Sequence, residues 1–136
     1  MFEKDSFKII NKDLDDLLRK LSVYTDEDLN KKTNKNKWSI AENLYHLWLT
    51  ELITIKYIKK KTSYPKSLVN VSYFSKFKMK LLELIFFTGV KMKAPKITYD
   101  SIPKNIEIKK LKETWIKSRK SFEELVNALD LSLIHI

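Results

Sequence analysis

The chain has 136 residues, of which 43% are hydrophobic, and it contains one Gly, three Pro and no Cys. This length predicts a single domain over residues 1–136. The absence of cysteine excludes disulfides, thiolate nucleophiles and Cys-ligated zinc. A single glycine excludes the glycine-rich phosphate loops of nucleotide-binding proteins. So few turn-forming residues also disfavour a β-sandwich or barrel and favour long helices.

The formal net charge of +10 lies in the middle of the chain. Residues 56–96 contain 11 Lys and one acidic residue, whereas the segments on either side are close to neutral. Such a region could attract nucleic acid, an anionic membrane or an acidic small molecule. The basic residues are 25 Lys and only 2 Arg, however, and Arg is the usual reader of bases. We therefore do not expect nucleic-acid binding, and anion binding by 56–96 stays open.

Two observations bear on localisation. The N-terminus lacks the basic segment and apolar run of a signal peptide. The apolar stretches are interrupted well before they reach the length of a membrane span. Together with the lack of cysteine, these features predict a cytoplasmic protein that does not contact membranes.

The first half of the chain carries three helix signals. Apolar residues at three- and four-residue spacing predict an amphipathic helix from about residue 4 to residue 23. Thr25, followed by three acidic residues, is a predicted N-cap for a short helical turn around Leu29. Ser39 and Glu42 form an S-x-x-E capping box, which predicts a helix from Ile40 to about residue 60. That helix is apolar nearly all round, so we expect it to be buried on several sides at the centre of a bundle.

The second half predicts two more helices. The apolar spacing favours a third long helix over about 72–88, ended by Gly89. Two prolines in 90–104 predict an irregular connection. A last amphipathic helix is then predicted from about residue 106 to residue 129. The fold class is therefore all-α, with this predicted core: Leu14, Leu17, Leu21, Leu44, Leu47, Trp48, Leu52, Ile55, Leu81, Ile85, Leu111, Trp115, Phe122 and Leu125.

His46 is the candidate functional residue. It is one of two histidines and lies two turns into the most apolar predicted helix. A buried imidazole there can be a hydrogen-bonded core residue or a metal ligand. One histidine does not make a metal site, because catalytic zinc usually takes three protein ligands. The only other histidine, His135, is next to the last residue, where chains fray.

The segment from Trp38 to Glu51, with the pattern W-S-I-x-E-x-L-x-H-L-x-x-x-E, resembles the motif of the DinB-like superfamily. The resemblance covers roughly residues 5–130. It implies an up-down four-helix bundle, in bacterial proteins that include metal-dependent hydrolases and thiol S-transferases. It also implies that His46 is one of three histidine ligands to a divalent ion such as zinc or nickel. The implied substrate is a small molecule or a thiol, and a homodimer is an open option.

The chain departs from that family pattern at its end. The family has an H-x-x-x-H pair on a final helix, whereas residues 130–136 contain a single histidine, His135. We therefore expect a C-terminally truncated bundle that lacks its final helix, with 130–136 as a non-native tail. In that case His46 is one ligand of an incomplete site, and the fragment itself is inactive. The competing interpretation is a non-catalytic helical bundle that acts in stress or binds a partner.

Overall fold

The structure, a computed structural model, describes residues 2–64, 73, 77–78, 80–81, 84, 87–88 and 100–133. Side chains are described from residue 7 to residue 129 within these ranges. The described regular structure is entirely helical, which confirms the all-α class. Four helices have defined bounds: α1 Phe2–Leu21, α2 Asp26–Asn30, α3 Ile40–Thr62 and α4 Ile108–Leu133. None of the helices within the described ranges combines the length and apolarity needed to cross a bilayer.

Residue contacts group the chain into two units. The first unit comprises Met1–Ile55 and Ile102–Ile136, and the second comprises Lys56–Ser101. The prediction of one domain over residues 1–136 stays a prediction. In the second unit, the described positions from 73 to 87 are helical, in agreement with the third predicted helix. Ile85, Gly89 and most of the predicted connection over 90–104 lie outside the described residues.

The predicted helix bounds are close to the observed ones, with one exception. The last helix was predicted to stop at residue 129, but α4 continues to Leu133. The backbone of residues 130–133 is thus part of α4. Nothing in 130–133 interrupts the helix, because the segment has neither Gly nor Pro. The expectation that 130–136 are a non-native tail stays a prediction.

The first unit has one apolar core, to which α1, α2, α3 and α4 all contribute. Phe7 of α1 meets Phe122 of α4 edge-on, with ring centroids 5.4 Å apart. Early residues of α1 thus lie beside late residues of α4, so these two helices are antiparallel. In contrast, α3 and α4 run in the same direction. The buried core residues of this cluster are Leu14, Leu18, Leu29, Ala41, Leu44, Ile106, Leu111 and Trp115.

Burial of α3 is one-sided, which corrects the expectation that it is enclosed on several sides. Ala41, Leu44 and Ile55 are buried, whereas Leu47 is 51% exposed and Ile53 is 48% exposed. Leu47 was predicted to be a core residue and is not. Leu81, in the second unit, is also exposed rather than buried. Helix α3 therefore has more apolar surface than the described residues cover.

Helix α2 is joined to the start of α4 by side-chain to backbone hydrogen bonds. The Asn30 amide donates to the carbonyl of Ile106 (2.8 Å), and its oxygen accepts from the amide of the same residue (2.9 Å). The Asp26 carboxylate accepts from the backbone amide of Ile108, the first residue of α4. That amide has no partner inside its own helix, and a negative charge at a helix N-terminus is favourable. These bonds fix where α4 begins.

A polar network joins α1, α3 and α4 in the middle of the first unit. Arg119 of α4 donates from Nε to Glu51 Oε1 (2.7 Å) and from Nη2 to Oε2 (2.5 Å). Trp115 Nε1 donates to the same carboxylate (3.1 Å), and Arg119 Nη1 donates to Asn11 Oδ1 of α1 (3.3 Å). The Arg119 and Glu51 side chains are only 11% and 14% exposed. A two-pronged ion pair shielded from water resists disruption by salt far better than a surface pair.

Replacement of Arg119 by Ala should lower the free energy of unfolding by about 3–5 kcal/mol, because it leaves the Glu51 carboxylate buried without its cation. Urea unfolding followed by circular dichroism measures this change. Arg19→Ala is the matched control. Arg19 pairs with Asp16 on the surface, with its side chain 78% exposed, and should change stability by less than about 0.5 kcal/mol. Equal effects of the two substitutions would contradict the role assigned to the buried pair.

Candidate functional site

The helix that carries His46 begins with the predicted capping box. The Ser39 amide donates to Glu42 Oε2 (2.7 Å), and the Glu42 amide donates to Ser39 Oγ (3.1 Å). Both residues are buried. The Lys32 ammonium lies 2.8 Å from Glu42 Oε1 and neutralises the carboxylate. The start of α3 is therefore held by the loop before it as well as by its own cap.

The environment of Glu42 favours its charged form. Burial alone would raise the pKa of this carboxyl group, but the hydrogen bonds from Lys32 and from the Ser39 amide lower it below its ordinary value of 4.5. A carboxyl group with a lowered pKa stabilises the folded state above its unfolded pKa. That contribution is lost as the pH falls through the folded pKa. The cap of α3 is thus intact at neutral pH and weakened in acid.

His46 lies on the side of α3 opposite the core. An α-helix turns about 100° per residue, which places His46 nearly opposite Leu44 and Ile55, both of which are buried. The imidazole ring is half-buried and tilted against the Trp38 indole, with centroids 4.9 Å apart. Its Nδ1 atom is shielded from solvent and has no hydrogen-bond partner within the part of the chain that the structure describes. Within the described residues, Nδ1 therefore does not make the hydrogen bond expected of a core histidine, and the choice between a core residue and a metal ligand stays open.

The described residues do not complete a metal site at His46. Residues 2–64, 100–133 and the described positions between them contain no group of three His, Asp, Glu or Cys side chains able to hold an ion. A metal-bound histidine also usually donates its second ring nitrogen to an oxygen acceptor, and the orphaned Nδ1 has none. His135 lies outside the described residues. Within the described residues, His46 is thus the one side chain available at this position to bind a metal.

Glu51, the last residue of the motif, serves the core rather than the His46 side. Its carboxylate accepts hydrogen bonds from Trp115 and Arg119 of α4, which lie 64 and 68 residues later in the chain. The sequence analysis missed this pairing. One signal was available: Arg119 is one of only two arginines in a lysine-rich chain, and Arg is the residue suited to a buried two-pronged carboxylate pair.

A comparison with protein families matches residues 9–133 of the chain to the DinB superfamily. The match includes residues 9–21 of α1 and the whole of α2, α3, with His46, and α4. The chain belongs to the DinB superfamily. Comparisons with curated proteins and with solved structures gave no match.

The substitution Glu42→Gln tests the charge of the capping box. At about pH 7 it should lower the free energy of unfolding by about 1 kcal/mol, because the Lys32 ammonium loses its partner. This difference from the unmodified protein should shrink as the pH falls below about 4.5, the ordinary pKa of a Glu carboxyl group, and through the lower pKa of Glu42 in the folded protein. Urea unfolding at neutral and acidic pH measures it. Glu113→Gln, which removes an exposed carboxylate of α4, is the control, and the same pH profile for both variants would refute the assignment.

Proposed function

We propose that the full-length form of this protein is a divalent-metal-dependent hydrolase or thiol S-transferase of the DinB type, with His46 as one metal ligand. The observation that carries the proposal is the position of His46 in a chain that belongs to this superfamily. Its ring is half-buried and held against Trp38, and it faces away from the core. An imidazole fixed in this way loses little freedom when it binds an ion, which favours binding.

The way α3 begins also supports this role for His46. The Ser39–Glu42 capping box and the Lys32 ion pair fix the first turn of the helix, and His46 follows one turn after Glu42. A ligand on a rigid helix is positioned more precisely than one on a loop. The carboxylate of Glu42 is already engaged by these structural bonds, so we do not assign it to the metal.

The other ligands of the proposed site must come from outside the described residues. Such a site usually has three protein ligands, which would leave one coordination position of zinc or nickel open for a water molecule or a thiol. The metal would lower the pKa of the group bound there. We propose a small molecule or a thiol as the substrate class. No catalytic step is assigned to a residue of this chain, because the described residues present only one ligand.

A second candidate function is a non-catalytic helical bundle that binds a partner. The observation in its favour is the half-exposed apolar surface of α3, at Leu47 and Ile53. The two functions differ at His46. A partner-binding bundle needs it only for packing, whereas a metal site needs its ring nitrogen.

Metal analysis of three purified proteins separates the two functions. The full-length form of the protein should carry a stoichiometric divalent metal, measured by plasma mass spectrometry, and should bind added zinc or nickel in calorimetry. His46→Ala should lose at least about tenfold in affinity, as expected for removal of a ligand. His135→Ala, which removes the only other histidine, tests whether the loss is specific to position 46.

Two outcomes would count against the metal proposal. One is a full-length protein that neither carries nor binds a divalent ion. The other is a His46→Ala variant that binds the metal as tightly as the unmodified protein. Circular dichroism of each variant confirms that it is folded, and His46→Gln, which is closer in size, replaces the Ala variant if that one unfolds.

A further inference from the structure

A groove lies on the opposite side of α3 from the His46 imidazole, between that helix and the start of α4. Tyr45 and Trp48 of α3 line one side of it, and Ile106, Lys110 and Leu111 line the other. Its volume is about 470 Å³, within the range of small-molecule sites. All of its walls belong to the first unit. The function proposed for His46 makes no use of this groove.

The base of the groove is apolar and aromatic. Ile106 and Leu111 are buried core residues. The Tyr45 and Trp48 rings meet edge-on with centroids 5.1 Å apart, an arrangement that is favourable for aromatic pairs. A flat apolar group can lie against these rings and exclude water from them. The groove therefore selects for an apolar, preferably aromatic, body.

The groove is preformed, because hydrogen bonds hold the chain at Ile106 and at Ile108. Asn30 pairs with both backbone groups of Ile106, and Asp26 accepts from the Ile108 amide. These bonds come from α2, which is not part of the groove wall. A site whose wall is already ordered does not pay the entropy of ordering it when a ligand binds.

The rim of the groove supplies charge. Lys110 is exposed, and its ammonium forms no ion pair with the side chains that the structure describes. The Asn105 amide is a second donor on the same rim, and Glu107 is the one carboxylate there. Lys110 is also in the first turn of α4, where the helix dipole favours a negative ligand. The polar end of a ligand is thus best matched by a carboxylate.

We propose that this groove binds a small aromatic carboxylate. The aromatic body lies against Tyr45 and Trp48, and the carboxylate is bound by the Lys110 ammonium. The proposal does not depend on the metal. It survives if His46 proves not to be a ligand, and it can fail while the metal proposal holds.

Nuclear magnetic resonance of the three tryptophan indole groups tests the proposal on the intact chain, with naphthoate as the probe. Naphthoate should shift the Trp48 signal, assigned with Trp48→Phe, and should leave the Trp38 signal unchanged. The neutral analogue naphthylmethanol should bind about fivefold more weakly, because it lacks the charge-assisted contact. No shift of Trp48, or equal binding of the two probes, would overturn the proposal.

Three variants locate the charge that binds the carboxylate. Lys110→Ala should raise the dissociation constant for naphthoate about fivefold and leave that for naphthylmethanol unchanged. Lys112→Ala removes an equally exposed lysine of α4 away from the groove and should have no effect. Glu107→Gln should lower the constant, because it removes the like charge on the rim. Equal effects of the two lysine substitutions, or weaker binding by Glu107→Gln, would overturn the proposal.

Discussion

The ion pair between Glu51 and Arg119 is the contact on which the arrangement of α1, α3 and α4 depends. Each charge has its partner on the other helix, so the pair forms only when α3 and α4 pack in one particular register. Asn11 adds α1 to the same register through the guanidinium. Apolar contacts tolerate small slides between helices, whereas a two-pronged hydrogen-bonded pair does not. The aromatic contact of Phe7 with Phe122, one helical turn away from this pair, follows from that register.

The features that sequence predicted well are those set by residues close together in the chain. The predicted N-cap at Thr25 and the predicted capping box at Ser39 each involve a residue three positions later, and both are present in the structure. The all-α class follows from the scarcity of Gly and Pro. The pairing of Glu51 with Arg119 was not predictable in this way, because no local pattern connects residues 68 positions apart.

The candidate site shows the same division. His46 could be singled out by its rarity and by the motif around it. Its contact with Trp38 and its orphaned Nδ1 could not, because both depend on how the loop before α3 folds back. The exposed side of α3 was mispredicted for a related reason. An apolar helix surface indicates that something covers it, but not that the cover lies within the same described residues.

The register that Arg119 sets has a consequence during synthesis of the protein. A ribosome makes the chain from its N-terminus, so Glu51 and the core side of α3 emerge long before residue 119 exists. The hydrogen bonds that Glu51 and Arg119 make between helices span 64 to 108 residues, and such distant contacts form slowly. Until α4 is released, the nascent α3 presents an apolar surface and an unpaired carboxylate. During that interval the exposed apolar surface makes the nascent chain most prone to aggregation and most dependent on chaperones.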